Sequence, residues 1–111
     1  MTQQELFEQL EALGFPLAYS HFECDEETKA PDLPFLVYFE VGRIDVIADN
    51  KVYIAKTSYA LELYTDSKDL EAEQLIEDKL NELELPFIKD EQYISGERLY
   101  QVYYEFEIIG G

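Results

Sequence analysis

The sequence predicts an α+β fold: a mostly antiparallel, four- to five-stranded sheet with two helices packed on one face. Three observations carry this. Two segments, ending near Leu13 and Leu83, place apolar residues at helical spacing behind a capping side chain. Runs at 35–41, 52–64, 87–94 and 98–109 read as strands, two of them through sustained alternation. The chain has 111 residues, 47% of them apolar, with no internal repeat and no linker, which makes residues 1–111 a single domain able to bury a core.

Thr2 caps the first helix and Glu5 completes a capping box, with Leu6, Phe7, Leu10 and Leu13 on one face. Gly14 suits the left-handed position after the helix, and Pro16 prevents continuation. Residues 17–22 tolerate strand geometry. Residues 23–34 form a loop, crowded by Asp25, Glu26 and Glu27 and lacking backbone donors at Pro31 and Pro34. The strand at 35–41 is apolar on both faces up to Glu40, as a central strand should be. Residues 42–51 contain Ile44, Val46 and Ile47, carry the turn pair Asp49-Asn50, and are expected to be a long connection, with a strand extension as the alternative.

The run at 52–64 alternates, with Tyr53, Ala55, Tyr59, Leu61 and Leu63 on one side and Lys56, Ser58 and Glu62 on the other. Asp66 or Asp69 caps the second helix. Its inner face is expected to hold Ala72, Leu75, Ile76, Leu80 and Leu83, leaving Glu71, Glu73, Glu77, Asp78 and Glu82 outside until Pro86 ends it. Ser95-Gly96-Glu97 joins the last two strands as a hairpin. In the final strand Tyr100, Val102, Tyr104, Phe106 and Ile108 share the inner face, opposite Gln101, Glu105 and Glu107. The element order is helix, three strands, helix, two strands.

Twenty-five acidic residues stand against eight basic ones, a formal charge of −17. Such a surface repels phosphate, which excludes ordinary nucleic-acid binding through a basic patch and attraction to an anionic membrane. No apolar run approaches the roughly 20 residues of a membrane span, and the first residues lack the basic start of a signal peptide. The one cysteine, Cys24, excludes an internal disulfide framework and fits a reducing compartment.

Motifs for chemistry are missing, so no catalytic, metal or cofactor-binding residue is assigned, and no small-molecule ligand or cofactor is expected. The five glycines are scattered, with no phosphate loop. A nucleophile pair would have to join the lone His21 to Cys24 or a serine, and residues three apart on a strand face opposite ways. His21, Cys24 and the acids 25–27 are too few paired ligands for zinc, and no calcium-loop pattern is present. Among 25 carboxylates, chance pairs carry no information about glycosidase chemistry.

Surfaces are more informative. Nine tyrosines without a tryptophan exceed what a small core requires, and tyrosine is favoured at interfaces. Arg43, Ile44, Val46 and Ile47 form an apolar stretch with a rare positive charge, and these four are the candidate interface to a neighbouring subunit or partner.

The chain resembles the small tail-terminator and tail-completion proteins (head–tail joining or minor tail proteins) of long-tailed phages and prophages of Gram-positive hosts. The resemblance runs through residues 16–22, 34–38, 48–53 and 62–69, a Glu-rich helix, and the closing Tyr100-Gln101-Val102-Tyr103-Tyr104-Glu105. It implies a non-enzymatic virion protein, made in the host cytoplasm and placed at the head-proximal end of the tail. There it would form a homohexameric ring that caps the tail tube and meets the head–neck connector proteins. DNA would pass through without specific binding. The alternative is an acidic DNA-mimic inhibitor of a DNA-binding host enzyme, for which the same charge would imitate phosphates.

Overall fold

Thr2 starts helix α1 (Gln3–Glu11) through the expected capping box: its Oγ1 accepts the Glu5 N–H at 3.1 Å, and the Glu5 carboxylate accepts the Thr2 N–H at 3.3 Å. The computed structural model describes residues 1–22 and 32–109. Leu6 and Leu10 turn fully inward, Phe7 and Leu13 pack at their margin, and Gly14 takes φ +91° beyond the helix.

Strand β1 (Leu17–Tyr19) is shorter than the span expected at 17–22. Ser20 adopts a left-handed φ of +70° and turns the chain off the sheet. β1 runs parallel to β2 (Phe35–Ala48), so the five-stranded sheet is mixed; its other pairings are antiparallel, in the order β1-β2-β3-β5-β4.

The largest correction falls on residues 42–51. They are not a long connection: β2 continues to Ala48, and β3 (Lys51–Thr65) begins after the two-residue turn Asp49-Asn50. Both turn residues have left-handed φ values, 53° and 63°, the requirement of a tight hairpin turn whose twist matches its strands. Register shifts at Glu40/Gly42 and Val46/Ile47 break the alternation that would have revealed one continuous strand.

Helix α2 (Leu70–Glu82) is capped by Asp69, whose Oδ1 accepts the Ala72 N–H at 3.0 Å, and Glu84 at φ +58° turns the chain toward Pro86. Its inner face differs from expectation at two positions. Leu75 is 48% exposed, whereas Glu73, expected outside, is 2% exposed. β4 (Phe87–Ile94) and β5 (Leu99–Ile109) close the sheet through a turn at 95–98, where Arg98 rather than Gly96 supplies the positive φ.

Paired residues of antiparallel neighbours point to the same side. The register therefore places Leu36, Leu63 and Val102 in one row, and Tyr38, Leu61 and Tyr104 in the next. These rows join Leu6, Leu10, Ala72, Ile76 and Leu80 in one core, so both helices cover the same face. Tyr104, Phe106 and Ile108 are buried as expected. The core ends near Tyr59. From Val41 to Thr57 no described side chain is buried, and the β2–β3 ladder projects as an arm roughly 20 Å long at strand rise. That arm gives the molecule its extents of 51 × 31 × 26 Å.

Candidate functional site

The arm carries the four residues singled out from the sequence, and all four are exposed, Ile44 at 67% and Ile47 at 66%. Among the described residues it is held only at its base. β5 accompanies β3 as far as the Lys56–Ile109 pair, and β1 leaves β2 at Tyr38. Beyond those points neither edge of the ribbon pairs with another strand among the described residues. A two-stranded ribbon gains little stability in water from its own contacts, and apolar side chains displayed along one mark a surface built to be covered. Arg43 is already engaged: its Nε donates to Asp45 Oδ1 at 2.7 Å along the same strand. The fork still has donors to offer a second carboxylate.

Charge separates the arm from the body. Residues 42–57 hold Arg43, Lys51 and Lys56 against Asp45 and Asp49, a net +1, which leaves −18 for the remainder. Among the described residues neither Lys51 nor Lys56 is in a salt bridge, whereas Lys68, Lys79 and Lys89 are all paired within the body.

Beside the arm's base lies an open groove of about 680 Å³, at the start of β4 and the end of β5. Leu85, Phe87, Ile88 and Ile109 supply its apolar lining, and Ile88 and Ile109 are themselves largely exposed.

The sheet face away from the helices carries a polar network that sequence reasoning missed. Gln101, 8% exposed, donates from Nε2 to Glu62 and to Tyr64 Oη, and its Oε1 accepts from Gln92. The Tyr64 hydroxyl in turn donates to Glu62 Oε1 at 3.2 Å. Burial raises the Glu62 carboxyl above its ordinary value, with the Tyr64 hydroxyl pulling the other way. Burial and the neighbouring Glu62 push Tyr64 up to about 12. The hydrogen bonds of the network are made among its own four side chains.

A second polar cluster clasps α2 to β4. Lys68 Nζ lies 2.9 Å from Glu73 Oε2 and 2.6 Å from Glu91, and Lys89 Nζ lies 2.8 Å from Glu73 Oε1 and 2.9 Å from Glu77. Tyr104 donates its hydroxyl to Glu77 at 2.9 Å. Burial alone would raise Glu73, but the two lysines outweigh it and hold the carboxyl below its ordinary value. This explains the inversion on α2. Lys89, on the helix-facing side of β4, reaches Glu73 and Glu77, and with Lys68 it makes a carboxylate the residue that fits the buried side of α2 at position 73.

Of the residues weighed for chemistry, His21 is described and Cys24 is not. His21 is exposed, with Nδ1 3.2 Å from Ser20 Oγ, and it lies beyond β1 rather than on a strand. Cys24 and the acids 25–27 lie outside the described residues. Among the described residues no group of three or more His, Cys, Asp or Glu is arranged to hold a metal ion, and no helix is long and apolar enough to cross a membrane. In comparisons with known proteins, no family model matches the chain and no curated protein matches it.

Proposed function

We propose that this chain is a ring-forming tail-terminator or tail-completion subunit of a long-tailed phage or prophage. In this reading it caps the tail tube at its head-proximal end and meets the neck proteins there. One observation carries the reading furthest: a well-packed acidic body extends an arm that exposes Ile44, Val46 and Ile47 and carries a net charge of +1. A subunit that works by assembly needs such a feature, whereas an enzyme or a small-ligand carrier does not. The resemblance in segment order and spacing supplies the particular assembly. The acidic body suits a channel through which DNA slides, because like charge keeps phosphate from adhering.

The DNA-mimic reading draws on the same charge but leaves the arm without a task. Light scattering on the purified chain, alone and with the tail-tube and neck proteins of the same genome, separates the two. Ring-sized or partner-dependent assembly is the expected result. A small particle that ignores tube and neck proteins, yet blocks DNA binding by a host enzyme, would overturn it.

A further inference from the structure

We propose that the arm of one copy docks in the groove beside β4 and β5 of a second copy, so that subunits join head to tail. This deepens the reading of the chain as a ring subunit and rests on it for its purpose.

Four observations lead to this contact. The arm offers the exposed Ile44, Val46 and Ile47, and the groove offers the exposed Ile88 and Ile109 beside the partly buried Leu85 and Phe87. The groove's volume of about 680 Å³ lies in the range that takes side-chain-sized groups. Charge is complementary as well. Glu84, Glu105 and Glu107 are in the groove's lining, which itself holds no lysine or arginine, and the projecting part of the arm brings Arg43 and Lys51. Finally, the arm projects away from its own groove, since Ser58 and Ile109 line the groove at the arm's base. The groove must therefore take the arm of another molecule.

Arm-to-arm pairing along the open β2 edge is the competing contact. Like charge opposes it, and the register shifts at Glu40/Gly42 and Val46/Ile47 interrupt the edge it would use. A contact between two different surfaces of one chain is heterologous. It repeats until a ring closes or a filament grows, whereas an arm-to-arm contact stops at a dimer.

Sedimentation velocity on three full-length proteins, from micromolar to millimolar concentration, tests this. They are the wild type, an arm variant Ile44→Asp with Ile47→Asp, and a groove variant Ile88→Asp with Ile109→Asp. The wild type should assemble beyond a dimer, and each variant alone should remain monomeric. An equimolar mixture should form one-to-one dimers that grow no further, because one sound arm and one sound groove remain. Should either variant fail to fold by circular dichroism, charge reversals replace the pair: Arg43→Glu with Lys51→Glu on the arm, and Glu105→Lys with Glu107→Lys at the groove. These should be monomeric apart and associate when mixed. A wild type that stays monomeric, a groove variant that assembles like the wild type, or a mixture that does not associate would each overturn the contact. Failure here is distinguishable from failure of the tail reading. Tails can depend on the chain while this contact is absent, and the contact can exist in a protein whose loss leaves tails normal.

Discussion

Glu73 shows what a single side chain can decide in this molecule. A carboxylate 2% exposed persists because Lys68 and Lys89 both reach it. Replacing both lysines by Met strands that charge, and urea denaturation at neutral pH should show a loss of about 3–5 kcal/mol. The pH dependence should also change sign. In the wild type Glu73 is held low, so its contribution is present above the unfolded carboxylate range and lost as pH falls through the folded value. In the double variant burial acts alone and raises Glu73, so stability should increase on mild acidification instead. On the same helix, Ile76→Ala should cost about 2–5 kcal/mol, whereas Leu75→Ala, at an exposed site, should stay near half a kcal/mol. Equal losses would return Leu75 to the core. Periodicity alone misread these two positions, because a leucine outranks a glutamate on any apolar scale. What reverses the order is Lys89 on a strand 16 residues later (89 − 73), a pairing that the helical period does not encode.

The elements were more legible than their lengths. Both helix caps, the left-handed Gly14 and the inner row of β5 follow from short-range chemistry, and each stands where its residues place it. The arm did not follow, although its turn was recognised in Asp49-Asn50. Two register shifts destroy the alternation that identifies a strand, and burial provides no second signal because none of the described side chains of the ribbon is buried. The four exposed residues could thus be named from the sequence while the ribbon that displays them could not. The turn itself permits a test. Asn50 holds φ 63°, a region that glycine occupies more readily, so Asn50→Gly should slow amide exchange along 43–55 by a factor of several. Core amides should be unaffected. Exchange at unfolded-chain rates in both proteins would contradict an arm formed before assembly.

At the scale of the whole molecule the division of charge is the governing fact, +1 on the arm and −18 elsewhere. Self-repulsion of the body costs stability that screening restores, so added sodium chloride should raise the melting temperature of the isolated chain by a few degrees. Duplex DNA should not be retarded by the protein in a gel even at low salt, and retention there would contradict a wall that phosphate slides past. The central claim is that this chain ends the tail and joins it to the head. Electron microscopy of particles made with Arg43→Glu and Ile47→Asp, beside particles lacking the chain altogether, tests it most directly. The account predicts overlong tubes and heads without tails in both, with the double variant still folded by circular dichroism. Tails of normal length, joined to heads in particles that lack the chain, would contradict it.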